Sequence, residues 1–210
     1  MKKSDNSQAT SATSTTITQW HVITRLLHSF MALGIITQLL LAQVMAAPDE
    51  LDEASQLQRF FWESHEFVGL FTAGIIFLHW LWIVFHGNDV SFAKLFPLNS
   101  SGIKNIKQDI AYIIQNKNLP ELRQGSSLAS FIHGLGFLTA SLMVLSGSAL
   151  YYVIDWGDGA GSDAFENISE LHEFFSNFMW IYLVVHVMAA IWHEYKGEHI
   201  IKAMSPVNRK

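Results

Sequence analysis

The chain contains no cysteine among its 210 residues. That absence excludes disulfides, zinc ribbons, thiolate-held iron–sulfur clusters and haem attached through thioether bonds. It does not identify a redox compartment. Charge is scarce too: 15% of residues are Asp, Glu, Lys or Arg, while 50% are hydrophobic, so most of the chain can lie away from water. No nucleophile–base constellation, phosphate loop or metalloprotease motif is evident. Lys2 and Lys3 are not followed closely by a short apolar segment with a cleavage site, so no secretory signal is expected.

Basic residues are almost missing from two stretches, 48–65 and 151–172, where Arg59 stands alone. The others are Lys2, Lys3, Arg25, Lys94, Lys104, Lys107, Lys117, Arg123, Lys196, Lys202, Arg209 and Lys210. They fall in the N-terminal segment, the 87–127 loop and the C-terminal tail. The positive-inside rule then predicts that both termini and the long middle loop are cytoplasmic. Asp49, Glu50, Asp52, Glu53, Asp155, Asp158, Asp163 and Glu166 lie on the opposite side. The net charge of −5 conceals this sorting.

Four apolar stretches, at about 24–47, 66–86, 128–150 and 173–195, have the length needed to span a bilayer. The expected fold class is therefore all-α: an integral membrane four-helix bundle with both termini cytoplasmic. Residues 1–17 are polar and rich in Ser and Thr, which predicts a disordered tail. The membrane domain is expected over 18–204, with a C-terminal tail at 205–210. The first helix should start near Thr18 and stop before Pro48. Phe60, Phe61 and Trp62 suit an interfacial belt in the 49–65 loop. Phe85, His86, Gly87 and Asn88 read as a left-handed stop for the second helix.

The middle loop interleaves Ile103, Ile106, Ile110, Tyr112, Ile113 and Ile114 with Lys104, Lys107 and Asp109, which predicts an amphipathic surface helix at about 101–115. Between Tyr152 and Ser169, the run Asp155-Trp156-Gly157-Asp158-Gly159 suggests turns. Its carboxylates do not have EF-hand spacing.

Two histidine pairs carry the functional information: His65 with His79, and His172 with His186. Fourteen helical residues return a side chain to within roughly 40° of its starting direction and move it about 21 Å along the axis. Two helices bearing such pairs could hold two flat cofactors at two depths. Haem iron accepts axial imidazole, and with no cysteine the haem would be non-covalent. The pattern points to a membrane cytochrome with two haems b. His172 and His186 are the leading ligand candidates, and a buried histidine in lipid calls for a partner.

His65 matches the depth of His172 and is its natural partner from the second helix. Gly69 and Gly74 follow it and suit either close approach of a macrocycle or helix packing. The inner partner of His186 has three candidates: His28, His79 and His133. Depth arithmetic favours His79. His133 otherwise reads as a satisfied polar group near Gly134 and Gly136. His21, His86, His193 and His199 lie near the inner boundary, and His193 shares a face with His186.

The segment Arg25-Leu26-Leu27-His28 resembles the Arg-x-x-His start of the first helix in bacterial cytochrome b561 and in the b-type subunit of nickel–iron hydrogenases. His65-Glu66-Phe67-Val68-Gly69 is similar to that family's second-helix entry. Leu171-His172-Glu173 through His186-Val187 is similar to its fourth helix. The resemblance covers about residues 18–204, and its specificity lies in combined order and spacing. It implies that His28 and His186 ligate an inner haem, and that His65 and His172 ligate an outer one. At the position of His79 relatives usually carry arginine, which implies a propionate contact or an alternative ligand there.

The resemblance also implies electron transfer with quinone or quinol, either as an electron-transfer protein or as a subunit of a quinone-linked oxidoreductase in the bacterial inner membrane. Beyond membrane lipid, the expected partners are a periplasmic hydrogenase or other redox subunit, or a soluble cytochrome steered by the acidic outer loops. No nucleic-acid partner is expected. The quinone is expected at the cytoplasmic side, near Gln124 and Gly125. There Gln124-Gly125-Ser126-Ser127 replaces the Gly-His-Asn-Pro common in hydrogenase-type relatives. The competing class is a histidine-lined transporter for a divalent metal ion or protons, and a purely structural membrane anchor is the third.

Overall fold

The computed structural model describes residues 20–86, 91–122 and 126–206. Among them the elements are helical: α1 Val22–Leu41, a 3-10 turn Pro48–Glu50, α2 Gln56–Phe85, α3 Phe92–Leu95, α4 Ser100–Asn116, α5 Ser127–Trp156, α6 Asp163–Tyr195 and α7 Ile200–Met204. Four of them, α1, α2, α5 and α6, are long and apolar enough to cross a membrane. The expected tail at 1–17, the helix start near Thr18, residues 207–210 of the tail expected at 205–210, the stop at Gly87 and Asn88, and the quinone-side Gln124 and Gly125 lie outside the described residues.

Three spanning helices are longer than their apolar stretches, because capping rather than hydropathy sets their ends. Ser55 opens α2 with a capping box: its Oγ accepts from the Gln58 N–H at 3.3 Å, and Gln58 Oε1 accepts from the Ser55 N–H at 3.1 Å. Phe60, Phe61 and Trp62 consequently ride on the helix rather than in a loop. Ser162 Oγ accepts from the Phe165 N–H at 3.2 Å to start α6. Asp163 and Glu166 in its first turn complement the positive end of the helix dipole. Because α5 runs on to Trp156, the expected 152–169 loop shrinks to 157–162, where Gly159 and Gly161 take φ of +82° and +85°.

The first helix departs the other way. It stops at Leu41, six residues short of Ala47, because Gln43 and Val44 donate to the carbonyls three residues back, of Leu40 and Leu41. That bonding tightens the last turn and ends the α-helix. Pro48 instead opens the 3-10 turn, where its missing N–H leaves no gap. At the far end, α6 closes in a Schellman motif, with Gly197 at φ +83° donating to Glu194 O and Glu198 donating to His193 O, both at 3.0 Å.

In the bundle α1 lies along α2, α5 along α6, and α2 against α5. Their shared core is Leu39, Ile76, Ile83, Phe137, Ala140 and Met179. At Gly34 a methyl group would collide with Thr72 Oγ1, so this glycine sets the close approach of α1 to α2. Trp82 Nε1 donates to Thr24 Oγ1, and Trp80 Nε1 to Ser141 Oγ, both at 3.0 Å. These bonds join α2 to α1 and to α5 through polar atoms that lipid could not satisfy. The outer faces carry exposed apolar side chains such as Leu33, Phe77, Leu145 and Ile181, which suits a lipid environment.

One end of the bundle is closed by α3, α4 and the C-terminal segment. The amphipathic helix expected at 101–115 is α4. Its Ile106, Asp109 and Ile113 are half-buried, while Ile103, Ile110 and Ile114 are exposed. Asp109 Oδ2 accepts from Ser126 Oγ at 2.8 Å and from the Leu128 N–H at 3.1 Å, placing a carboxylate at the start of α5. Glu198 accepts from the Leu122 N–H at 2.9 Å, and Arg25 donates to Ser205 O at 2.7 Å. The start of α1 and the end of the middle segment at Leu122 therefore meet the C-terminal segment at one end of the bundle.

Candidate functional site

Helix α6 carries an imidazole at each of two levels. His172 is its tenth residue and His186 lies fourteen residues further on, about 21 Å along the axis. His65 is likewise the tenth residue of α2, so it sits well inside the helix rather than at the outer end expected from hydropathy. The two rings meet, with His65 and His172 centroids 6.5 Å apart and planes at 80°. Trp62 stacks on His65 from one turn earlier, at 6.4 Å and 14°.

At the other level the histidine facing His186 comes from α1. His28 and His186 have centroids 6.3 Å apart and planes at 50°. Depth arithmetic had favoured His79, whose ring instead lies 5.0 Å from that of Phe137 on α5. Depth alone does not separate the inner histidines; rotation about the helix axis does. His79 is 6% exposed, and its ring packs on Phe137 rather than on His186.

His133 is nearer to this site than expected. Its ring centre is 5.1 Å from that of His186, edge to face. Its Nδ1 donates to Ala129 O at 2.6 Å, since a carbonyl can only accept. It is thus both a satisfied polar group and a third imidazole at the inner level. Tyr182, one turn before His186, stacks on that ring at 5.3 Å, and its hydroxyl is 3.5 Å from His186 Nδ1, too long for a strong bond.

Gly69 makes room for Gln38, whose Nε2 donates to His65 O at 2.7 Å. Gly74 faces open space, with nothing within 4 Å of an added methyl group. Of the remaining histidines, His21 and His86 flank Trp82, with ring centres 5.0 and 4.1 Å from the indole, while His193 pairs with Glu198 at 3.1 Å and His199 with Glu194 at 3.3 Å.

The donor set fits haem iron on two grounds. A metal–imidazole bond is about 2.0–2.1 Å, so two rings on opposite sides of one metal ion have centres roughly 6.3 Å apart. Both pairs lie near that separation, whereas the His133–His186 contact is too short for it. In addition, α6 approaches α1 and α2 at hardly any point, so the paired imidazoles bridge a gap between backbones. His65 Nδ1 and His79 Nδ1 are buried and have no protein partner, a costly condition in hydrocarbon. Among the described residues, no group of three or more His, Asp or Glu side chains converges to hold a bare metal ion.

Four spanning helices with imidazoles paired across their gaps define a membrane b-type cytochrome of the helical-bundle kind. The chain belongs to the prokaryotic cytochrome b561 family, whose model matches residues 19–206. No curated protein and no solved structure matches it. It is a multi-pass bacterial membrane protein that binds b-type haem and takes part in electron transfer.

Proposed function

We propose that the protein is a dihaem cytochrome passing electrons across the bilayer between the quinone pool and a redox partner at the opposite face. The observation that carries this reading is the pair of ring contacts made by one helix, His172 with His65 and His186 with His28. His65 and His172 would hold the outer haem, and His28 and His186 the inner one. His79 and His133 stand beside the inner pair as polar neighbours. Bound haem supplies a reversible one-electron iron couple.

The protein's own work is to fix the imidazoles, surround them with apolar side chains and keep water from the centre of the bundle. Tyr182 stacks on His186 at the inner level and Trp62 on His65 at the outer one, while Gln38 ties the His65 backbone to α1. The charge asymmetry supports an inner-membrane orientation with both termini cytoplasmic. The end closed by α4 and the C-terminal segment is then the cytoplasmic side and the quinone side. The acidic outer connections suit a periplasmic redox subunit or a basic soluble cytochrome.

The test is a reduced-minus-oxidised spectrum of purified protein, with quinol as the reductant. A b-type spectrum that develops on adding quinol is expected. A colourless preparation made with ample haem supply would overturn the reading, and haem reducible by dithionite but not by quinol would overturn its quinone part.

A further inference from the structure

Ser146, two-thirds of the way along α5, is the one side chain among the described residues that hydrogen-bonds firmly to a ring of the two central pairs. Its Oγ lies 2.8 Å from His172 Nδ1. The same oxygen is 2.8 Å from Leu142 O and 3.1 Å from Met143 O. Both carbonyls can only accept, and a serine hydroxyl has a single hydrogen. That hydrogen goes to the preceding turn, a common arrangement for serine within a helix. In that arrangement the oxygen lone pair faces His172, and His172 Nδ1 is the donor.

The consequence is a fixed tautomer. With its proton on Nδ1, the ring keeps its Nε2 lone pair free. The neighbouring Gly147 lets the ring sit against the α5 backbone, since an added methyl group would come within 3.1 Å of His172 Cε1. Serine and glycine together set both the rotation of the ring and which nitrogen can bind a metal.

We infer that Ser146 is a positioning residue that holds His172 in its iron-binding tautomer and lowers the reduction potential of the outer haem relative to a site without the hydroxyl. A hydrogen bond from Nδ1–H to oxygen makes the ligating nitrogen more basic, which favours ferric over ferrous iron. This inference rests on the proposed outer pair, His65 with His172.

The experiment is a potentiometric titration of the purified full chain alongside Ser146→Ala and Ser146→Thr, with haem counted in each. In Ser146→Ala one midpoint potential should rise and the other stay in place, at unchanged haem content. In Ser146→Thr, which keeps a hydroxyl, the shift should be reversed in whole or large part. Loss of one haem from the alanine variant but not from the threonine variant would also support the positioning role.

Two unchanged potentials in Ser146→Ala at full haem content would overturn the inference, as would equal shifts or equal haem loss in both variants. Failure of the underlying reading looks different, because wild-type protein would then lack the two haems before any substitution is made.

Discussion

The outer and inner histidine levels are built differently on the same helix. At the outer level one imidazole faces one imidazole, and His172 is held by Ser146 and seated on Gly147. At the inner level His186 faces His28 while His133 touches its edge, and the nearest hydroxyl, that of Tyr182, is 3.5 Å away. A single helix can thus present two chemically similar rings in unequal surroundings. Axial hydrogen bonding and burial are the means by which a protein separates the potentials of two otherwise identical haems.

The largest effects should come from removing the shared ligands. His172→Ala is expected to lose the outer haem alone and His186→Ala the inner one alone, halving the haem-to-protein ratio in each case. Loss of both haems from either variant in protein that remains folded would show that the levels are not independent.

The next test separates the inner candidates. His28→Ala should also halve haem content, whereas His79→Ala and His133→Ala should retain it. Full haem in His28→Ala with half lost in His79→Ala would make His79 the ligand and break the comparison at the inner level.

A smaller effect is expected from Gly147→Val, which pushes side-chain atoms toward His172. Overpacking of this kind costs about 1–3 kcal/mol. It should appear as weaker retention of the outer haem on dilution or mild heating, with the inner one unaffected. The smallest effect is expected from Tyr182→Phe. Since its hydroxyl makes at most a weak bond to His186, the inner midpoint should move less than the outer midpoint does in Ser146→Ala. A larger shift would put the inner ring under hydroxyl control too.

The spans were legible because apolar stretches of bilayer length leave few alternatives, and α4 was legible from the alternation of isoleucine with lysine. The helix ends were read less well. Hydropathy marks where lipid contact begins, whereas Ser55 and Ser162 mark where the backbone starts to wind. The Ser55-x-x-Gln58 pattern was a readable signal for an early start of α2. The tightened turn after Leu41 had no comparable sequence mark.

At the site, the fourteen-residue spacing singled out His172 and His186 as candidates, and the Arg25-x-x-His28 segment pointed to His28 where depth arithmetic pointed to His79. The structure brings His28 to His186 because rotation about the helix axis, invisible in a depth count, decides which rings meet. Ser146, Gly147 and Gln38 carried no sequence signal. Each acts through a contact with another helix, and Ser146 is 26 residues from the ring it holds.

The most direct measurement is the number of haems per polypeptide in purified, correctly inserted protein, alongside His28→Ala and His65→Ala. Two haems in the wild type and one in each variant are expected, with different midpoints remaining. One haem in the wild type, or none, would contradict the pairing of imidazoles at two levels of α6.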